Sequence, residues 1–421
     1  MKKLVLAVFL FFPSLAQAAD STWVQAVSGG YEARLVTSAA TCPALHTDKG
    51  DIAMAVRAAA DDKFALTCSA MLPAGVKRAS AGNSPLPVPV LHPQRILVLG
   101  DTGCRIKGAT LQACNDPARW PFPQLAAAAA SLKPDLVIHV GDYLYRESAC
   151  PAGSQGCAGS PWGDNWTTWQ ADFFTPAAPL LAAAPIVLAR GNHEDCKRAG
   201  PGWTRLQGPA AFDGTCKVHQ PLYTVDLGGL TLAVLDDAVS DETDLDRDTA
   251  KVYANEIEGL ARLPAPVWFV HHRPTWAAMD GPLGIPIGGN LTLIEASQIA
   301  QAKGLPAVPH SVELMLSGHI HTFESINFQQ DVPPQIVDGN GGDDLNVTPR
   351  NLRGAQFLGH SGVTVADGLS VGGFGFLLMT RAPDGWTIDL YDPAARPKGQ
   401  CHFIAPQGGK RGRLDCPGLK G

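Results

Sequence analysis

Residues 95–103 read RILVLGDTG: a short, mostly apolar run that stops abruptly in Gly100-Asp101-Thr102-Gly103. A run of this length, rich in β-branched residues, suits a buried strand. Open α/β sheets place their sites beyond the carboxyl ends of such strands. The same arrangement recurs four times. Residues 135–141 (DLVIHVG) lead into Asp142-Tyr143-Leu144-Tyr145, and 185–190 (PIVLAR) into Gly191-Asn192-His193-Glu194. Residues 266–270 (PVWFV) lead into His271-His272-Arg273-Pro274, and 312–317 (VELMLS) into Gly318-His319-Ile320-His321. Helical patterns lie between some of these runs. Residues 124–132 are Ala-rich, and 165–174 carry aromatics at helical spacing. The alternation predicts an α/β domain with a large central sheet, closed by antiparallel strands over 375–380 and 386–391.

Taken singly, each polar block has an ordinary explanation. Asp-Thr-Gly and Gly-Asn-His are common turns, and a His pair at a strand end is often a satisfied polar pair. His319 and His321 are more telling, because alternate strand positions set both imidazoles on one face. Five blocks in order supply Asp, Asn and Tyr oxygens with His nitrogens, the donor set of a hydrolytic metal centre.

These blocks resemble the calcineurin-like metallophosphoesterases over 95–392, and within them the purple acid phosphatases. That family's signature runs GDxG, GDxxY, GNH(D/E), a strand ending in His, then GHxH. The wider superfamily usually carries Asp-x-His in the first block. Here Gly103 stands at the His position, and Tyr145 supplies the family's tyrosine ligand. The resemblance implies a four-layer β-sandwich flanked by helices. It implies a first metal held by Asp101, Asp142, Tyr145 and His321, and a second by Asp142, Asn192, His272 and His319. The first would be Fe(III), the second Fe(II), Zn(II) or Mn(II). His193 would donate a proton or contact phosphate. The His-x-Pro pattern selects His272 as ligand, although some relatives use the first of two adjacent histidines. His271 is therefore kept as a catalytic or supporting candidate. The activity implied is hydrolysis of small phosphate monoesters by a metal-bound hydroxide. Alternatives are a phosphodiesterase or nucleotide pyrophosphatase, or a non-catalytic binding protein with a vestigial site.

Other polar residues carry less weight. His139 lies inside an apolar run and reads as a core histidine. Asp236 ends another run without a ligand role in the family pattern. Arg146 and Glu147 read as either mouth residues or loop charges. The segment Asn340-Gly341-Gly342-Asp343 reads as structural, lacking the Lys and spacing of a phosphate-binding loop.

The opening residues, Lys2 and Lys3 followed by an apolar run and Ala16-Gln17-Ala18, predict a signal peptide over 1–18 and export to the periplasm or beyond. Residues 19–90 read as a small β-rich accessory unit with strands near 31–36 and 52–56, ending in a linker. Residues 91–395 form the main domain, and 396–421 a tail. Ten cysteines in an exported chain predict disulfides. Short loops close most easily. Neighbour pairing is thus favoured: Cys42/Cys68, Cys104/Cys114, Cys150/Cys157, Cys196/Cys216 and Cys401/Cys416. A net charge of −6 argues against nonspecific binding to nucleic acid. No later run is apolar enough to predict a membrane span.

Overall fold

The computed structural model describes residues 20–280, 286–357 and 361–419, so the expected signal peptide lies outside the described residues. The five apolar runs are strands β1 (Arg95–Leu99), β2 (Leu136–His139), β3 (Ile186–Leu188), β4 (Val267–Val270) and β5 (Val312–Ser317). β1, β2 and β3 lie parallel, with Leu97, Val137 and Ile186 side by side. β4 and β5 lie parallel in a second sheet, between Thr231–Val234 and Gln335–Asp338. Among the described residues the first sheet has eleven strands and the second seven.

Side-chain alternation explains why the runs are apolar throughout: both faces of each sheet are covered. Ile96 and Val98 share the core between the sheets with Val270 and Leu316. Leu97 and Leu99 face the other way, onto helices α1 (Phe122–Ser131) and α2 (Thr175–Ala183). Phe269 and Met315 pack beneath α3 (Arg247–Gly259) and α4 (Leu291–Ala302). The result is four layers, helix–sheet–sheet–helix.

Local chemistry sets the helix starts. Asn165 accepts from the Thr168 N–H at 3.1 Å, opening the aromatic segment that leads into α2. The Asp246 side chain caps α3 and Asn290 caps α4. In α1, Pro123 sits in the first turn, where its missing N–H costs nothing.

The regions flanking the motif strands differ from the expectation of separate units. Ser21–Val27 pairs in parallel with β3, and Gly30–Thr37, Leu66–Met71 and Ala55–Ala58 extend the first sheet further. Residues 52–56 divide at buried Met54, with Gly50–Ala53 in a small four-stranded sheet and Ala55–Ala58 in the large one. The linker stretch carries two short strands of that small sheet, Ala79–Ala81 and Ser84–Leu86. At the other end, Gly385–Tyr391, Pro397–Ile404 and Arg413–Asp415 continue the large sheet beyond Phe376–Ala382. The expected boundaries near 90 and 395 fall in connections between strands, and the large sheet takes in strands from both sides of each. All five disulfides join the neighbouring cysteines.

Trp23 ties the N-terminal strand to the first helical layer: it is 1% exposed and packs against Phe174 in a tilted ring pair, 4.9 Å between centroids. Trp23→Ala is expected to cost about 3–5 kcal/mol. Urea unfolding should show that loss in one transition, without a separately melting N-terminal unit.

Candidate metal centre

β1 to β5 deliver their trailing residues to one buried cluster. The chain leaves the strands through left-handed backbone, with φ of 57° at Asp101, 59° at Asp142 and 68° at His319. Each such non-glycine residue costs about 1–2 kcal/mol, so surrounding contacts must hold it. Asp101 N donates to the Gly141 carbonyl at 2.9 Å, and Thr102 N to that of Asp142 at 3.1 Å. Gly191 is required sterically: a Cβ there would overlap the carboxylate and backbone of Asp142. Gly141 combines a φ of 108° with a position where a Cβ would strike the His272 ring.

Tyr145 is the meeting point of one half of the cluster. Its hydroxyl lies 3.0 Å from Asp101 Oδ1, 2.8 Å from Asp142 Oδ2 and 3.2 Å from His321 Nε2. His321 Nδ1 faces the Asp344 carbonyl at 2.6 Å, leaving Nε2 for the cluster. His272 is the meeting point of the other half. Its Nε2 lies 3.3 Å from Asp142 Oδ2 and 3.0 Å from Asn192 Oδ1, while Nδ1 faces the Val140 carbonyl at 2.8 Å. Asp142, His272 and His319 each offer a donor atom within 4.8 Å of the others. Asp142 is common to both halves. The structure thus brings together all seven residues expected as ligands. A family model for calcineurin-like phosphoesterases matches residues 94–323.

The chain belongs to the calcineurin-like phosphoesterases. Purple acid phosphatase PPD1 from yellow lupin (Lupinus luteus) shares the fold at 13% identity and a TM-score of 0.55, over 91% of this chain and 74% of that one. PhoD does so at 11% identity and a TM-score of 0.53, over 93% and 91%. No curated protein sequence matches.

The residues of this phosphoesterase centre suit cations. Asp101 and Asp142 are both essentially buried and both approach one phenol oxygen, which has a single proton to give. Buried carboxylates this close require compensating positive charge. Without a metal, imidazoles provide it. Burial works against charging His272, yet Asp142 lifts it to about 10. Burial likewise opposes charging His321, yet Asp343 and Asp101 lift it to about 9. A bound cation would take over this role and release protons. Burial, reinforced by Asp101 and Asp142, keeps the Tyr145 phenol protonated until such a cation enters.

His193 stands over the Tyr145 ring, 3.7 Å between centroids. Its Nδ1 faces Glu147 at 3.0 Å, and its Nε2 lies 3.9 Å from Asp142. His271 is not brought to the cluster. Its ring lies against Phe269 on the helix-facing side of β4, with Nδ1 3.1 Å from Asp237.

Asp237 escaped the sequence reading. Fully buried, it accepts from His272 N at 3.1 Å and Arg273 N at 2.9 Å, fixing the backbone behind the ligand. Its neighbour Asp236, which the sequence did single out, instead pairs with buried Arg190 at 2.9 Å. Glu147 reaches the site, whereas Arg146 turns to buried Asp172 at 2.9 Å. The glycine-rich segment is structural in its backbone, since Gly341 N donates to the Gly100 carbonyl at 3.0 Å. Its Asp343 also approaches His321, at 3.5 Å. His139 is a core histidine, bonded to Thr102 at 3.0 Å and stacked on Tyr143.

Gly191→Ala should displace Asp142 from both halves of the cluster. The expected result is about 1–3 kcal/mol of lost stability from overpacking, together with weaker zinc uptake. Thermal unfolding and zinc titration of the variant would check both.

Proposed function

We propose that this phosphoesterase hydrolyses phosphate monoesters at two metal ions and works outside the cytoplasm, as an acid phosphatase-like enzyme. The observation that carries the reading is the Tyr145 hydroxyl, within hydrogen-bonding distance of Asp101, Asp142 and His321 together. On this reading Asp101, Asp142, Tyr145 and His321 would hold Fe(III). Asp142, Asn192, His272 and His319 would hold Fe(II), Zn(II) or Mn(II), with Asp142 common to both sets. Bound there, two cations supply neutralisation of the phosphoryl group and acidification of water.

The chain's own residues do the rest. Glu147 fixes the His193 ring and directs Nε2 toward Asp142. Burial lowers His193 to about 4, so at neutral pH the ring carries one proton, which the Glu147 contact draws to Nδ1. Donation to a leaving group through Nε2 calls for the doubly protonated ring, and that form is favoured by acid. His271 is assigned a positioning role: with Asp237 it holds the backbone of His272. Five disulfides support export to an oxidising compartment. Among the described residues no helix is long and apolar enough to cross a membrane.

Asp142→Ala should abolish both metal loading and hydrolysis of an aryl monophosphate; full activity in this variant would sink the scheme. Iron-loaded protein should show a visible tyrosinate charge-transfer band that Tyr145→Phe removes. A colourless, active zinc or manganese enzyme would refute the ferric assignment alone. Diesters hydrolysed faster than monoesters would turn the reading to a phosphodiesterase. His193→Ala should lower turnover of alkyl phosphates by about 10²–10⁴-fold, and of nitrophenyl phosphate far less, because that leaving group needs no proton.

A further inference from the structure

Glu242 and Arg273 belong to no motif block's ligand set, yet Glu242 meets His319 and Arg273 meets Glu242. Glu242 comes from the loop that follows Thr231–Val234. That loop is anchored to the start of α4: Leu291 N donates to the Glu242 carbonyl at 3.3 Å, and Asn290 Nδ2 to Ser240 Oγ at 3.1 Å. From there Glu242 Oε1 lies 2.9 Å from His319 Nε2. The same carboxylate oxygen accepts from the Arg273 guanidinium. Arg273 in turn is held at its backbone N by Asp237, at 2.9 Å.

We propose that Arg273 and Glu242 are positioning residues, the arginine fixing the carboxylate and the carboxylate fixing His319 with its proton on Nε2, which leaves Nδ1 bare to act as the ligand beside Asp142 and His272. The inference rests on the two-metal reading above. A carboxylate that accepts from one imidazole nitrogen orients the ring and makes the other nitrogen a better ligand. A guanidinium keeps that carboxylate in place through charge-assisted hydrogen bonds.

The arrangement is repeated around the centre. Arg198 holds Glu147, which faces His193 Nδ1 at 3.0 Å. Arg105 holds Asp343, which lies 3.5 Å from His321 Nδ1. Each of these arginines is committed to a carboxylate. His272 and His321 also meet backbone carbonyls at Nδ1, those of Val140 at 2.8 Å and Asp344 at 2.6 Å. The Glu242 arm is the most direct case, since there the carboxylate meets the ring nitrogen at 2.9 Å.

The test uses the full chain and zinc alone. In metal-free protein labelled with ¹⁵N-histidine, the His319 ring, assigned by loss of its signals in His319→Gln, should be the Nε2–H tautomer. An Nδ1–H ring overturns the proposal, and this measurement needs no folded positioning variant. Chelator competition should then show zinc held about 10–100-fold more weakly at one of two sites in Glu242→Gln and in Arg273→Ala, with Arg273→Lys partly restored. Affinity within twofold of the unaltered protein in Glu242→Gln overturns the proposal. So does an Arg273→Ala variant that binds zinc normally but shows a raised KM for an aryl phosphate, which would make Arg273 a substrate contact. Neither zinc affinity nor tautomer depends on turnover. A protein that meets these expectations but hydrolyses no monoester keeps the positioning inference and loses the proposed activity.

Discussion

Two buried carboxylates, Asp101 and Asp142, converge on the hydroxyl of Tyr145. Everything around them answers the electrostatic demand this creates. In a low-dielectric interior, like charges so close are strongly unfavourable unless cations, protons or aligned N–H groups stand against them. Backbone donors meet part of the demand: His193 N reaches Asp142 at 2.8 Å and His319 N reaches Asp101 at 2.9 Å. Imidazoles meet more of it in the metal-free protein. The remaining demand is what suits the site to metal ions, and it explains why a phenol and neutral histidines can serve there.

Holding such a cluster requires a frame that does not relax. The left-handed turns at Asp101, Asp142 and His319 are kept by loop hydrogen bonds, Asp101 N to the Gly141 carbonyl, Thr102 N to the Asp142 carbonyl and His319 N to the Asp101 carboxylate, with glycines packed closely against Asp101 and Asp142. Two disulfides begin just past the metal-binding blocks. Cys104–Cys114 follows Gly103, and Cys196–Cys216 follows Glu194. Buried Arg190 joins the latter region together, bonding the Glu194 carbonyl at 2.8 Å and Asp236 at 2.9 Å. The flanking strands serve the same end. By extending the large sheet on both edges, they bury β1 to β3 in its middle, where fraying is least.

The motif strands were legible because burial on both faces leaves a continuous apolar run, and the abrupt polar ending marks the site. The expected ligands were legible because their residue types and spacing match a family signature. Sequence could not show the partners that hold them. Asp237, Glu242 and Asp343 lie in loops, where a carboxylate has the same local pattern whether it faces water or a histidine. Only tertiary packing brings Glu242 from its loop to His319. Pairing of Ser21–Val27 with β3 was hidden for a related reason: an apolar pattern identifies a strand without naming its neighbour. The accessory unit was thus expected to stand apart when it completes the sheet.

The adjacent pair His271 and His272 shows how the layers decide chemistry. Along β4 side chains alternate, so one histidine must face the helices and the other the opposing sheet. Phe269 and His271 take the helix side, in the layer of α3 and α4. Val270 joins the core between the sheets, and His272 continues its face. The centre therefore opens at the seam where the two sheets meet, with the inter-sheet core as its floor. That floor excludes water from beneath the carboxylates and strengthens every charge interaction above it. A histidine one residue earlier would lie on the far side of the sheet, with a carboxylate partner but no path to the cluster. The four-layer architecture thus places the electrostatic demand of Asp101 and Asp142 where His272 can meet it.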